Sequence, residues 1–253
     1  MPKLVVFSGA GLSAESGIPT FRDDNGLWAQ YDPMEVCNYE NWEENYALVH
    51  SFYNKRRAEL AAAKPNAMHF FLASLQEFFQ SIPRAYKKPK PIEVIHITQN
   101  IDDLLERAGI KDAMHIHGEL TKITCPRCKC VLEIGYQAFD MRPCGQCGYE
   151  RMKPKVVFFY EQAPLYAKMY EVFSSLGAQD CVLVIGTSGS VVDISMILAR
   201  AESSYNKIGR KILNNLAKSK TIAESVFDVL LYKPATQAIQ DIEQELTIFF
   251  KEI

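Results

Sequence analysis

Short apolar, β-branched runs at 4–7, 94–98, 182–185 and 211–213 alternate along the chain with stretches of helical periodicity. Each run stops at a small polar or glycine-rich cluster: Ser8-Gly9-Ala10-Gly11, Gln99-Asn100, Gly186-Thr187-Ser188-Gly189 and Asn214-Asn215. Strands alternating with helices predict an α/β fold, a Rossmann-like parallel sheet with helices on both faces. Ligands of such sheets gather outside the carboxyl ends of the strands, so the four clusters are expected to line one crevice. Near the end of the chain Ile239, Ile242, Leu246, Phe249 and Ile253 form one stripe of a helix that packs on the sheet.

Two segments interrupt the alternation. Residues 31–64 lack strand signals and place Tyr46, Val49, Phe52 and Tyr53 at roughly helical spacing before Pro65. Residues 118–154 carry four paired cysteines. Both read as insertions that make a smaller lobe, one part helical and one a four-cysteine zinc ribbon. Residues 1–30, 65–117 and 155–253 are left for the Rossmann-like domain.

Composition narrows the function classes. With 253 residues, 48% hydrophobic and 23% charged, the chain can bury a full core as one large domain or a domain with a satellite. Lys plus Arg number 28 and Asp plus Glu 30, a net charge of −2, so no general pull toward nucleic acid or anionic lipid exists. No apolar run approaches the roughly 18 residues that cross a bilayer, so no membrane partner is expected. Met1-Pro2-Lys3 leads straight into an apolar run without room for a signal peptide, from which a cytoplasmic location is expected.

The four paired cysteines, of seven in all, suit metal better than disulfides in a reducing compartment. Cys125-Pro126-Arg127-Cys128 and Cys144-Gly145-Gln146-Cys147 are separated by 15 residues, a spacing that builds a zinc ribbon from two thiolate knuckles. Four thiolates fill a tetrahedral site, so one Zn2+ ion here would hold structure and stay out of the chemistry. Cys130 belongs to neither pair, and Cys37 and Cys181 read as buried thiols. The rival reading is a nucleic-acid zinc module, but the intervening segment offers Glu133 and Asp140 and no basic-aromatic platform.

The run Leu4-Val5-Val6-Phe7-Ser8-Gly9-Ala10-Gly11-Leu12-Ser13-Ala14 fits strand, G-x-G-x-x-A turn and helix start, where backbone N–H groups can meet a pyrophosphate. A tight turn that simply needs glycine is the plainer reading. A hydride-transfer fold should continue to a second strand and an acidic residue about 20 positions on. Instead Glu15-Ser16-Gly17-Ile18-Pro19-Thr20-Phe21-Arg22 stops the helix early. The segment from Gly9 to Arg22 closely resembles the signature of the sirtuins, the NAD-dependent protein deacylases. Thr98-Gln99-Asn100-Ile101-Asp102 resembles that family's nicotinamide and ribose motif, His117-Gly118-Glu119 its catalytic histidine motif, and Gly186-Thr187-Ser188 its later phosphate and ribose loop.

The resemblance implies that NAD is bound by Gly9, Ala10, Gly11, Ser13 and Ala14, by Gln99, Asn100, Ile101 and Asp102, and by Gly186, Thr187, Ser188 and Asn214. Phe21 and Arg22 would cover the cofactor. An acyl-lysine oxygen would attack the anomeric carbon of the nicotinamide ribose and expel nicotinamide, and O-acyl-ADP-ribose would leave. His117 would be the general base for a ribose hydroxyl. Of the five histidines, His69 reads as a helix residue near its own N-terminus. His115 and His117 would face the same side of an extended segment, and only the family motif chooses His117. For Asp102 a helix cap competes with the nicotinamide pocket, since Leu104-Leu105-Glu106-Arg107 follows in helical register.

Tyr53 and Arg56, three apart on the helix predicted in the smaller lobe, could be a solvated edge. They also match the tyrosine-x-x-arginine pair of class III sirtuins, bacterial ones included, which implies binding of the carboxylate of a succinyl- or malonyl-lysine. Desuccinylase and demalonylase activity is then expected beside deacetylation, on acylated-lysine proteins or peptides. The resemblance has two departures: Tyr160 stands where the family usually has glycine in the strand that pairs with substrate, and Asp193 where a proline is common. Rival outcomes are an NAD-cleaving or ADP-ribosyl-transferring sirtuin and a non-catalytic NAD sensor. A monomer is compatible with all of them.

Overall fold

In the computed structural model, residues 1–20, 31–82, 91–202 and 206–253 are described. In chain order their elements are β1 (Lys3–Ser8), α1 (Gly11–Ala14), α2 (Pro33–Val36), α3 (Tyr46–Ala62), α4 (Ala67–Ser81), β2 (Glu93–Thr98), α5 (Leu104–Ala108), β3 (Met114–His115), β4 (Gly118–Thr124), β5 (Val131–Glu133), β6 (Lys153–Val156), α6 (Tyr166–Ser174), β7 (Cys181–Ile185), α7 (Ile194–Ala201), β8 (Arg210–Asn215), β9 (Val229–Tyr232) and α8 (Ile239–Lys251). Six strands form one parallel sheet in the order β3-β2-β1-β7-β8-β9.

β1 and β7 lie at the centre, and their runs are apolar throughout because both faces are covered. Leu4, Val6, Leu183 and Ile185 face α4 and α8, packing with Met68, Leu72, Leu75, Ile242, Leu246 and Phe250. Val5, Phe7, Val182 and Val184 point the other way, onto Met169 and Phe173 of α6 and Ile194 and Leu198 of α7. Each such side chain contributes about 1.5–3 kcal/mol by leaving water, so the two layers fix the register of the central strands. The helical stripe expected at the chain end is α8, with Ile242, Leu246 and Phe250 fully buried and Ile239, Phe249 and Ile253 along its flank. Phe250 replaces Phe249 at the centre of the stripe, as a helical repeat from Ile242 and Leu246 requires.

The four strands anticipated from the sequence are present, each longer at one or both ends or starting one residue earlier. Two further strands extend the sheet at its edges. β3 has only two residues, and β9, Val-Leu-Leu-Tyr, is a short apolar run that the sequence reading passed over, its positions alternating half-buried and exposed at the sheet edge.

A three-stranded antiparallel sheet, β5-β4-β6, carries the cysteine pairs. Helix α3 packs on it through Tyr46, Val49, Phe52, Tyr53 and Leu60 against Leu120, Val156 and Phe158. Polar contacts tie helix and ribbon together: His50 Nε2 donates to the Met152 carbonyl at 2.8 Å, and Asn54 exchanges hydrogen bonds with the backbone of Phe139. The helix ends at Ala62, three residues before Pro65.

Candidate functional site

The strand order reverses between β1 and β7, the place where open α/β sheets bind ligands. Here the two glycine loops lock together. Gly9 N–H donates to the Ile185 carbonyl at 2.9 Å and Gly11 N–H to the Gly186 carbonyl at 2.8 Å. A Cβ on Gly9 would lie 2.7 Å from the Gly186 oxygen, and one on Gly186 2.4 Å from the Leu12 nitrogen. The glycines therefore serve loop-to-loop contact as well as any phosphate, a requirement that the turn pattern alone does not reveal. Helix α1 lasts only from Gly11 to Ala14, as the early glycine and proline require.

A cavity of about 1020 Å³ opens at this switch point and runs toward α3. It is lined by Gly9, Ala10, Gly11, Ser13 and Ala14, by Gln99, Asn100, Ile101 and Asp102, by Gly186, Thr187, Ser188 and Asn214, by His117, and by Tyr53 and Arg56. Residues from four distant motifs and from the α3 pair thus share one space. Phe21 and Arg22 lie outside the described residues.

The cavity floor is a closed hydrogen-bond network. Ser13 Oγ donates to Asp102 Oδ2 at 2.9 Å and accepts from Asn100 Nδ2 at 3.1 Å. His69 Nδ1 accepts from the Asn66 N–H at 3.2 Å, so its proton sits on Nε2, which faces Ser13 Oγ at 3.5 Å. The same pair closes a capping box at the start of α4, so His69 is the helix residue expected and also braces the floor. Burial pushes its pKa down to about 4 and keeps it neutral. Asp102 acts at the entry to α5, where Oδ1 accepts from the Leu104 N–H at 3.1 Å, and it also lines the cavity, where Oδ2 accepts from Ser13 Oγ. Burial raises its pKa, opposed by the bonds from Leu104 and Ser13.

Geometry now separates the two histidines that the sequence could not. His115 spends both ring nitrogens, Nδ1 on the Asn100 carbonyl and Nε2 on Glu106 Oε1, each at 2.8 Å. Burial works against its charge, but Glu106 outweighs that and raises its pKa. His117 instead faces the cavity. Its Nδ1 lies 3.1 Å from the Gln99 carbonyl, which can only accept, so the proton is on Nδ1 and Nε2 carries the lone pair. That lone pair accepts from the Tyr166 hydroxyl at 2.8 Å. Burial lowers the His117 pKa, partly offset by the Gln99 carbonyl, and leaves the ring neutral and able to act as a base. The Tyr166 phenol is pushed up by burial to about 12 and stays a donor. Gly118, at φ 88, lets the Lys155 carbonyl pass where a Cβ would sit 2.1 Å away, and so places the histidine against the ribbon strand.

On the opposite side Gln99 Nε2 donates to Thr187 Oγ1 at 2.9 Å. Thr187 is also held by Asn215, which accepts from its N–H and donates to its carbonyl. Asn214 lines the cavity, but its Nδ2 donates to the Leu231 and Lys233 carbonyls, both at 3.0 Å, and ties β8 to β9. Sequence reading placed Asn215 in a crevice cluster but gave it no role, and it missed Tyr166. Their partners are 28 and 49 positions away, so no local spacing marks them.

The four paired cysteine Sγ atoms lie within 4.8 Å of one another. Cys125–Cys147 and Cys128–Cys144 are both 3.6 Å apart, close to the ~3.8 Å edge of a tetrahedron with Zn–S bonds of about 2.3 Å. Both knuckles fold alike: Lys129 N–H bonds the Cys125 carbonyl and Gly148 N–H the Cys144 carbonyl, with φ of 64 and 70 at those two residues. The donor set fits a zinc ion. Cys130 Sγ approaches Cys144 Sγ at 3.4 Å without joining the four-atom cluster. Cys37 and Cys181 are buried thiols.

The two departures from the family pattern have local explanations. Tyr160 adopts φ 65, the left-handed conformation that glycine takes freely, and leaves its ring 70% exposed at the cavity edge. Asp193 caps α7, accepting from the Met196 N–H at 3.0 Å and the Ser195 hydroxyl at 2.6 Å.

A switch-point cavity with a neutral histidine at its wall, beside a four-thiolate ribbon, defines an α/β enzyme built around a dinucleotide. Residues 9–193 match the model of the Sir2 family. An NAD-dependent protein deacylase of Helicobacter hepaticus is 64% identical over 255 residues, covering 99% of both chains. One of Campylobacter jejuni is 38% identical over 252 residues, covering 100% of this chain and 99% of that one. A solved Sir2 homolog–NAD complex superposes with a TM-score of 0.78 at 28% identity, over 98% of this chain and 90% of that one. The chain belongs to the Sir2 family, and it is an enzyme.

Proposed function

We propose that this NAD-dependent protein deacylase removes acyl groups ending in a carboxylate, succinyl and malonyl, alongside acetyl, from lysines of protein or peptide substrates. The observation that carries the reading is Arg56. Its side chain is 8% exposed, it lines the same cavity as His117, and its Nε and Nη1 are buried without a hydrogen-bond partner among the described residues. A guanidinium keeps its charge, and a buried cation with unused donors suits a planar anion that it can hold through paired hydrogen bonds. Tyr53 stands beside it, stacked on Phe158 at 5.7 Å, with its hydroxyl on Cys37 Sγ at 3.4 Å, a weak acceptor that a carboxylate can replace.

NAD supplies the activated glycosidic bond to nicotinamide. The glycine loop after β1 and the Gly186-Thr187-Ser188 loop after β7 would hold its phosphates and riboses, and Asn100 and Asp102 its nicotinamide end. His117 Nε2 would take a proton from a ribose hydroxyl that replaces the Tyr166 hydroxyl there, starting transfer of the acyl group to the sugar. The ribbon and α3 would form one small lobe over the Rossmann-like domain, the zinc ion holding the ribbon that carries Val156 to Tyr160 toward substrate. The thiolate ligands suit a reducing, cytoplasmic setting.

The test is a panel of one peptide bearing acetyl-, succinyl- or malonyl-lysine, assayed with and without NAD by mass spectrometry of the products. The expected result is O-acyl-ADP-ribose from all three, only when both NAD and acylated peptide are present. NAD consumption without peptide would point to a hydrolase, and turnover of the acetyl peptide alone would contradict the acyl specificity.

A further inference from the structure

Arg56 is not entirely without an anion. Three residues on along α3, Glu59 places Oε1 2.6 Å from Arg56 Nη2. Glu59 also lines the cavity, and its side chain is 37% exposed against 8% for Arg56. The choice of nitrogen matters. A guanidinium offers a carboxylate two paired faces, Nε with Nη2 and Nη1 with Nη2, and Nη2 belongs to both. Nε and Nη1, which have no partner among the described residues, share no face. A carboxylate arriving on an acyl chain can therefore make a two-pronged grip only by sharing Nη2 with Glu59 or by taking it.

When the acyl group is neutral, the same carboxylate has the opposite effect. A buried guanidinium with no anion is strongly unfavourable, and Glu59 keeps Arg56 compensated while an acetyl group sits nearby. We infer that Glu59 is a specificity-determining residue: it stands in on Arg56 for the acid of a dicarboxylic acyl group and sets the ratio of acidic to neutral acyl-lysine turnover. This rests on the reading of Arg56 as the acyl-carboxylate site. Glu59 acts through Arg56 on ground-state binding, so its effect falls on KM and leaves kcat largely alone.

The experiment measures kcat and KM on one peptide sequence carrying acetyl-, succinyl- or succinamoyl-lysine, the last a neutral amide of the succinyl shape. The native chain is compared with Glu59→Gln, Arg56→Met and the double variant. Glu59→Gln should lower KM for the succinyl peptide about tenfold and raise it several-fold for the acetyl peptide. The succinamoyl peptide should gain nothing, because its amide can donate to Glu59 but not to the replacement carbonyl without losing charge assistance. In the Arg56→Met background the Glu59 effect should vanish. If Arg56→Met removes succinyl preference while Glu59→Gln leaves the succinyl-to-acetyl ratio unmoved, the inference fails and the acyl-site reading survives. If Arg56→Met leaves succinyl turnover at the native level, both fall. Should Glu59→Gln fold poorly by circular dichroism, Glu59→Asp, which withdraws the carboxylate by one methylene, should move the ratio in the same direction by a smaller factor; an unchanged ratio there overturns the inference equally.

Discussion

The floor of the cavity and its acyl end are built on opposite terms. At the floor, Ser13 Oγ has a partner for its proton and two donors pointing at it, Asp102 uses both oxygens, and His69 uses both ring nitrogens. At the proposed acyl end, Arg56 keeps two nitrogens without partners among the described residues and shares a third with a half-exposed Glu59. Satisfied buried networks have one geometry and hold it, while a buried group with unused donors is in a higher free-energy state that a matching ligand relieves. The contrast assigns different work to the two ends. On the proposed reading the floor would present fixed groups to NAD, and the end at Arg56 would discriminate among substrates.

The largest effect should come from His117→Ala, which leaves the fold intact and lowers deacylation by ~10²–10⁴-fold, read as product formation at saturating NAD. The pH profile of the native enzyme sharpens the same point. The base must be neutral, and burial holds its pKa below the ordinary 6.5. Activity should therefore persist at pH 6.5 and fall only at lower pH, as the ring protonates; a limb centred above 6.5 would contradict the assignment. Ser13→Ala should come next. It strips a partner from Asp102, Asn100 and His69 together, which costs about 1–3 kcal/mol for each group left unsatisfied, and it should lower the melting temperature and raise KM for NAD. An unchanged melting temperature would mean that water replaces the hydroxyl and that the floor is not a closed unit. The smallest effect is expected of Tyr160→Gly. Releasing a tyrosine from φ 65 should stabilise the fold by about 1 kcal/mol in denaturant titration, while KM for peptide changes and KM for NAD does not.

What could be seen in the sequence follows from how local each feature is. The four central strands announce themselves as short β-branched or apolar runs that stop at small polar or glycine clusters, and the zinc ligands because each knuckle is four consecutive residues. The two glycine loops and His117, which share the cavity, were picked out by contiguous motifs. Contacts between distant positions were not: His69 reaches Ser13 across 56 residues, Tyr166 reaches His117 across 49, and Asn215 reaches Thr187 across 28. The interlock of Gly9 with Gly186 is of the same kind, since nothing near either glycine shows that the other fills the space its Cβ would occupy. The family motif chose His117 over His115, but the physical reason needed the fold, because only the neighbours of β3 reveal that His115 is fully engaged. Glu59 was visible as an acid three residues after Arg56, but a spacing of three describes any exposed helical ion pair, and only the cavity makes it more than that.

The most direct measurement is the structure of the protein bound to a succinyl-lysine peptide. The acyl carboxylate should lie within hydrogen-bond distance of the Arg56 guanidinium and the Tyr53 hydroxyl, with Glu59 moved off Nη2 and the floor from Ser13 to Asp102 unchanged. A carboxylate turned to solvent, with the Arg56–Glu59 pair undisturbed, would contradict the account.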